Sequence, residues 1–172
     1  PDCGYTKNAQ GHGPAWSTAH FEDNAEYGFG MMLAEKTERK LLEQYIDAAM
    51  DVASPELQAA FTEWKEHKAE SEGTRERSDK VIALLEAEKD GKPALEQVYD
   101  MKQFLVKRRQ WIFGGDGWAY DIGYGGLDHV LAQGEDVNVL VFDTEVYSNT
   151  GGQASKATPT AAVAQFAASG KK

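Results

Sequence analysis

Trp111-Ile112-Phe113-Gly114-Gly115-Asp116-Gly117 is the stretch that decides the fold, because a short apolar run ends there in three glycines around one carboxylate. A second apolar run, Val137 to Phe142, is rich in β-branched residues and is typical of a strand. An amphipathic stretch between the two runs ends at Gly134 and predicts a helix with a glycine stop. Strand, helix and strand in this order indicate a βαβ unit, whose parallel strands end at one edge of the sheet.

The middle of the chain, residues 31–110, differs from both flanks, since it holds only two of the 17 glycines. Apolar residues recur there at helical spacing and predict four helices. Ser54-Pro55 marks the start of the second helix, as an N-cap followed by proline, and Pro93 marks the start of the fourth, which is predicted to run toward Leu105. The polar stretch 69–78 is interpreted as a loop or a frayed helix end. The apolar positions that indicate the helices are Leu41, Leu42, Tyr45, Ile46, Ala49 and Met50; Leu57, Phe61 and Trp64; Val81, Ile82, Leu84 and Leu85; and Leu95, Val98 and Tyr99.

A further helix is predicted after the second strand, where Thr158-Pro159 forms a cap and apolar residues continue to Phe166. The predicted fold class is therefore α/β, a parallel sheet flanked by helices. The 172 residues are expected to form a single, partial domain with a helical insertion at 31–110.

Charge and composition exclude several classes of function. The net charge of −10 disfavours nucleic acid as a partner, because an acidic chain repels phosphate backbones. No run of 18 apolar residues is present and the first residues do not resemble a signal peptide, so we expect a cytoplasmic protein without a membrane span. The single cysteine, Cys3, cannot bind an iron–sulfur cluster alone and is expected to be a free thiol. Both ends of the sequence are expected to be cut from something longer.

Oxygen-bearing residues follow both predicted strands, at the edge where ligands bind in open α/β folds. Asp116 offers a carboxylate after the first strand, and Thr144 offers a hydroxyl after the second. Magnesium prefers such oxygen ligands and usually shares its coordination sphere with phosphates and water. Gly115 and Gly117 allow close approach of a diphosphate, and the helix after Gly117 would point its N–H groups at that anion. These residues are consistent with a magnesium-diphosphate site.

Gly115-Asp116-Gly117 alone also fits an ordinary turn, so the tripeptide leaves both interpretations open. It is not the dinucleotide-binding fingerprint, because Tyr120 stands where that pattern requires glycine or alanine.

Longer segments resemble one family. Gly115-Asp116-Gly117, followed some two dozen residues later by metal-binding residues, is similar to the diphosphate motif of thiamine diphosphate enzymes. More closely, the chain resembles the thiamine domain of single-chain pyruvate:ferredoxin or flavodoxin oxidoreductases, in the same order along the sequence. The segments that carry this resemblance are Gly11 to Trp16, Phe21 to Gly30, Gly114 to Val130 and Asp143 to Thr160.

The resemblance implies particular site residues. Magnesium would be bound by the Asp116 carboxylate, the Thr144 hydroxyl and the Val146 backbone carbonyl. Thr144 stands where many thiamine enzymes carry Asn, which is normal for this family. Asn149 would face the reacting carbon and is the one implied catalytic residue. The residues implied to bind thiamine diphosphate are Gly115, Asp116, Gly117, Trp118, Thr144, Glu145, Val146, Tyr147, Ser148 and Asn149.

The activity implied by the resemblance is oxidative decarboxylation of pyruvate to acetyl-CoA and CO2. Electrons would pass through 4Fe-4S clusters, whose ligands lie outside these residues, to ferredoxin or flavodoxin. The full-length protein is expected to be a homodimer, and this chain alone is expected to be inactive. Three alternatives stay open: a variant that passes electrons to NADP, a binding module that holds thiamine diphosphate without chemistry, and an interaction fragment whose functional part is the helical middle.

Overall fold

The computed structural model describes residues 7–18 and 22–172, and this part of the chain forms two compact units. One unit takes in residues up to 30 and from 110 onward, and the other comprises 31–109. Cys3 lies outside the described residues. In chain order the helices are α1 (Asn24–Ala49), α2 (Pro55–His67), α3 (Thr74–Glu88), α4 (Pro93–Asp100) and α5 (Tyr124–Ala132), and the strands are β1 (Gln110–Gly115), β2 (Val137–Phe142), β3 (Val146–Tyr147) and β4 (Gln153–Ala154).

The βαβ unit predicted from the sequence is confirmed. β1 and β2 pair in parallel, with Ile112 opposite Val139 and Gly115 opposite Phe142, and α5 connects them. Gly134 has a φ of +65°, which only glycine adopts without strain, and it follows the end of α5. A parallel sheet with flanking helices is compatible with the α/β class.

The two faces of the β1–β2 pair have different surroundings, because side chains alternate across a strand. Ile112 lies on the inner face, in a buried cluster. On the outer face the rings of Trp111, Phe113 and Phe142 stack at 6.0–6.1 Å, and Trp16 stacks on Phe113 at 5.5 Å. Trp111 and Phe142 keep 49% and 57% of their surface exposed. The buried cluster on the inner face consists of Ala25, Ile112, Trp118, Ala119, Leu127 and Val130, with Phe29, Val137, Val139 and Val141 packed against it.

The turn between β1 and α5 is a π-helical segment, Gly117–Ile122, rather than the start of a regular α-helix. Its characteristic hydrogen bond runs from Gly123 N to Trp118 O at 2.8 Å. The Trp118 ring lies between two glycines: a Cβ built on Gly114 or Gly123 would come within 2.1 or 2.2 Å of it. The wider turn therefore accommodates a buried indole, and such segments are frequent at functional sites.

The 31–109 unit has its own apolar core, and the four helices predicted from the sequence are present. The first already begins at Asn24, and the fourth ends at Asp100, short of the predicted Leu105, where a single 3-10 turn (Lys102–Phe104) follows it. Ser54 accepts a hydrogen bond from Leu57 N at 3.2 Å, and Pro55 occupies the first helical position of α2, as the sequence indicated. Trp64 is buried and donates its indole N–H to Leu105 O at 2.8 Å. The core residues are Leu42, Ile46, Ala49, Ala53, Leu57, Ala60, Phe61, Trp64, Val81, Leu85, Leu95, Val98 and Leu105.

The interpretation of 69–78 as a loop is wrong over its second half, because α3 begins at Thr74. Two polar side chains support this start. Arg77 donates to three carbonyls of the preceding turn, the shortest distance being 2.7 Å to Glu72 O. The Ser78 hydroxyl is buried and donates to Thr74 O at 2.6 Å. Hydrogen bonds from these polar side chains to backbone carbonyls thus accompany the start of α3, where no apolar pattern indicates a helix.

The helix predicted to run from Thr158-Pro159 to Phe166 is absent from this described segment, and that prediction is wrong. Its backbone groups bond elsewhere: Gln165 N donates to Gly152 O, and Ala154 N donates to Gln165 O, both at 3.0 Å. Phe166 adopts a φ of +64°, outside the helical region. Pairing with the β4 region therefore overrides the helical propensity of an alanine-rich stretch.

Candidate functional site

Three oxygen atoms from the loops after β1 and β2 lie close together at the carboxyl edge of the sheet. Asp116 is fully buried and directly follows β1. Its Oδ1 accepts a hydrogen bond from Thr144 N at 3.0 Å and lies 3.1 Å from Thr144 Oγ1. Thr144 Oγ1 in turn lies 3.0 Å from Val146 O. The Thr144 hydroxyl has one proton for two acceptors, so the cluster holds more oxygen lone pairs than protons.

The other oxygen of the Asp116 carboxylate is bound by a buried serine. Ser155 Oγ donates to Asp116 Oδ2 at 2.5 Å, and both residues are at least 96% buried. Burial pushes the pKa of Asp116 upward, but the hydrogen bonds from Ser155 and Thr144 outweigh it, so this pKa lies below its ordinary value. The carboxylate is therefore ionised at neutral pH, which is the form that a cation would require.

One residue of the loop after β2 has a backbone conformation that residues other than glycine rarely adopt. Glu145 has a φ of +62°, in the left-handed region. Its N–H donates to Asp143 Oδ1 at 3.1 Å, and its carbonyl accepts from the hydroxyl of Thr158. Non-glycine residues in this region cluster at binding sites, where the surrounding structure enforces them. In this loop the strain accompanies the placement of Thr144 and Val146 around Asp116.

Gly115 and Gly117 have different surroundings. A Cβ on Gly117 would lie 2.4 Å from the Tyr147 ring, so this glycine allows Tyr147 to pack against the turn. A Cβ on Gly115 would meet only Phe142 O, at 3.9 Å, so the space beside Gly115 is open. Burial and nearby Asp121 raise the pKa of Tyr147, which keeps its phenol protonated.

The remaining predicted cofactor residues lie in two places. Trp118 is 4% exposed and its indole nitrogen is buried without a hydrogen-bond partner, so the ring belongs to the apolar cluster rather than to an open surface. Ser148 and Asn149, the latter the predicted catalytic residue, are exposed in the turn between β3 and β4. That turn is closed by a hydrogen bond from Gly152 N to Tyr147 O at 2.9 Å.

The donor set fits a hard cation such as magnesium. A carboxylate, a hydroxyl and a carbonyl, all oxygens, are the ligand types that magnesium takes, with phosphates and water completing its coordination. Across the described ranges no group of three or more His, Cys, Asp and Glu side chains could hold a metal ion, so the candidate centre depends on one carboxylate. The open space beside Gly115 adds room for an anionic group at the same edge.

Sequence-based reasoning missed the residues that hold this cluster in place. Ser155 and Thr158 lie within a segment that resembles the family, but their spacing assigns them no role. Lys171 has no motif that would indicate a role, yet its ammonium donates to three backbone carbonyls. The contacts of Ser155 with Asp116 and of Lys171 with the three carbonyls join residues 13 to 39 positions apart in sequence, and a single sequence gives no signal for them.

The fold and the site together define an α/β segment with a cluster of three oxygen atoms at the carboxyl edge of a parallel sheet. The pyruvate-flavodoxin oxidoreductase of Klebsiella pneumoniae is 58% identical over 173 residues, which cover all of this chain and 15% of the relative. The pyruvate:ferredoxin oxidoreductase of Moorella thermoacetica is 53% identical, over 99% of this chain and 15% of the relative. The mitochondrial NADP-dependent pyruvate dehydrogenase of Euglena gracilis is 50% identical, over 98% of this chain and 9% of the relative.

The resemblance stated from the sequence is confirmed: the whole chain is similar to one segment of the pyruvate-flavodoxin and pyruvate:ferredoxin oxidoreductases, and spans about 15% of their length. No protein-family model matches the chain. Within residues 7–18 and 22–172, no helix combines the length and the apolar character that crossing a membrane requires.

Proposed function

We propose that this chain is the part of a pyruvate oxidoreductase that binds the diphosphate of thiamine diphosphate through magnesium. The observation that supports the proposal most strongly is the cluster of Asp116 Oδ1, Thr144 Oγ1 and Val146 O, with neighbouring atoms 3.0–3.1 Å apart. The names of the relatives support the reaction, the oxidation of pyruvate with a flavodoxin or a ferredoxin.

The residues of this chain would bind and orient the cofactor. Asp116, Thr144 and the Val146 carbonyl would hold the cation, and the open space beside Gly115 would admit the diphosphate. Thiamine diphosphate, when bound, supplies the electron sink for decarboxylation. Asn149, exposed in the β3–β4 turn, would contact the reacting part of the substrate. Coenzyme A as the acetyl acceptor and 4Fe-4S clusters elsewhere in the protein complete the proposed reaction.

A second candidate is the variant that passes electrons to NADP. The observation in its favour is the 50% identity to the Euglena gracilis pyruvate dehydrogenase that uses NADP. Reduction of NADP by the full polypeptide with pyruvate and coenzyme A, without ferredoxin or flavodoxin, would support this candidate over the first.

The test of the magnesium-diphosphate site is a thermal-unfolding scan of this chain with thiamine diphosphate, with and without magnesium, in parent and Asp116→Ala. A ligand at 100 times its Kd stabilises by about 2.7 kcal/mol, which raises Tm by roughly 5–10 °C for a chain of about this size. We expect a magnesium-dependent shift in the parent that Asp116→Ala loses.

Asp128→Ala is the matched control, because it removes an exposed carboxylate from α5. It should keep the full magnesium-dependent shift. A shift that survives in Asp116→Ala contradicts the assignment of the site. If the parent shows no shift, the same pair of variants is measured in the full polypeptide by titration calorimetry, where absence of binding rejects the proposed function.

A further inference from the structure

Ser155 is a buried serine whose hydroxyl donates a hydrogen bond to the Asp116 carboxylate. The turn that carries it is held by hydrogen bonds of Thr158 and Lys171. Ser155 Oγ donates to Asp116 Oδ2 at 2.5 Å, and Ser155 N–H donates to Thr158 Oγ1 at 2.9 Å. The Thr158 hydroxyl donates in turn to Glu145 O, in the loop that carries Thr144. Both Ser155 and Thr158 are 4% exposed. This pair of hydroxyls therefore connects Asp116 to the loop that supplies the other two oxygens.

A lysine ammonium anchors the same turn. Lys171 Nζ donates to the carbonyls of Ser155, Lys156 and Thr158, each at 2.7 Å. Three hydrogen bonds use all three ammonium protons, so the Ser155–Thr158 turn is held at one position. The position of Ser155 Oγ beside Asp116 is accordingly fixed by the hydrogen bonds that hold this turn.

We propose that Ser155 is a positioning residue, which orients the Asp116 carboxylate so that Oδ2 is occupied and Oδ1 faces the cation. This inference rests on the proposed magnesium-diphosphate site and deepens it. A carboxylate that can rotate presents either oxygen, or both, to a metal. With Oδ2 engaged by Ser155, Oδ1 is the oxygen that lies beside Thr144 Oγ1. Partners that orient a metal ligand in this way typically contribute 10–100-fold to metal affinity.

The test is a titration of magnesium into the full polypeptide at saturating thiamine diphosphate, followed by calorimetry, in parent and Ser155→Ala. We expect the Kd of magnesium to rise at least about tenfold in Ser155→Ala. Ser155→Thr keeps a hydroxyl and should bind magnesium more tightly than Ser155→Ala does. This comparison separates positioning from a role in folding. If Ser155 were needed only for folding, its replacement would change the stability of the protein, and the magnesium Kd would not depend on whether residue 155 carries a hydroxyl.

The matched control is Ser78→Ala, which also removes a buried serine hydroxyl but one that donates to a backbone carbonyl in the 31–109 unit. Its magnesium Kd should equal that of the parent. If Ser155→Ala does not fold, Ser155→Cys replaces it, since a thiol keeps the volume but is a weak donor. A parent-like magnesium Kd in the folded Ser155 variant overturns the inference and leaves the proposed function intact. Absence of magnesium-dependent binding in the parent overturns both.

Discussion

Gly115 and Gly117 flank the same carboxylate, but only one of them is required by the packing of the chain itself. Gly117 faces the Tyr147 ring, where a Cβ would lie at 2.4 Å, whereas Gly115 faces open space. The fold itself thus explains Gly117, and the proposed diphosphate ligand explains Gly115.

Substitution by alanine separates the two roles. Gly117→Ala should destabilise the ligand-free protein by about 1–3 kcal/mol, because the new methyl group displaces the Tyr147 ring. Gly115→Ala should leave the ligand-free Tm close to the parent value and weaken thiamine diphosphate binding, because the methyl fills space that the diphosphate needs. Thermal unfolding and calorimetric titration of both variants check this. Parent-like binding by Gly115→Ala would show that the diphosphate does not approach Gly115.

At the residue scale, the sequence predicted the members of the oxygen cluster but not what holds them. Asp116 and Thr144 follow strands that any parallel βαβ unit brings to one edge, so their proximity could be predicted from the order of elements. Ser155 reaches Asp116 through a turn that has no periodic signal, and Glu145 adopts a positive φ that its residue type disfavours. Neither the contact of Ser155 nor the backbone angle of Glu145 follows from local propensity.

At the scale of elements, the segment after β4 is organised by one side chain and by strand pairing instead of by a helix. Lys171 closes the Ser155–Thr158 turn with its side chain, and one backbone hydrogen bond, from Ala161 N to Lys171 O at 2.7 Å, closes the loop between these two residues. The predicted helix failed because alanine-rich composition reports local propensity only, which tertiary contacts override. β1, β2 and α5 were predictable because their apolar periodicity is local.

Replacing Lys171 by methionine tests this organisation. The variant leaves three carbonyls without their shared donor, and loss of charge-assisted hydrogen bonds of this kind costs about 1–3 kcal/mol. Lys172→Met is the control, because it removes the adjacent, exposed ammonium. Chemical denaturation should show a lower free energy of unfolding for Lys171→Met alone. An equal free energy of unfolding for the two variants would mean that the hydrogen bonds from Lys171 to the three carbonyls do not stabilise the fold.

At the scale of the whole molecule, the described part of the chain contains two compact units, and each has a hydrophobic core of its own. The composition changes at similar positions, since glycine is scarce in 31–110 and abundant on both sides. Helical spacing and the caps at Ser54 and Pro93 set the internal organisation of the helical part.

We expect residues 31–109 to fold when expressed alone, because 13 buried apolar residues form a core within that segment. Phe61→Ala should then destabilise the isolated segment by about 3–5 kcal/mol, the usual effect of emptying a buried aromatic site. Thr62→Ala, at an exposed position of the same helix, is the control and should have little effect. Circular dichroism with urea denaturation gives both values. A non-cooperative transition in the parent segment would contradict the expectation.

The outer face of the β1–β2 pair, with Trp111, Phe113, Phe142 and Trp16, has a consequence for colloidal behaviour. We expect the exposed rings to favour association between copies and the net charge of −10 to oppose it. Salt shortens the range of that repulsion, to about 10 Å at 0.1 M, while sulfate strengthens the apolar attraction. Solubility of the isolated chain is therefore set by a balance between charge and aromatic surface, and added sulfate shifts that balance toward self-association.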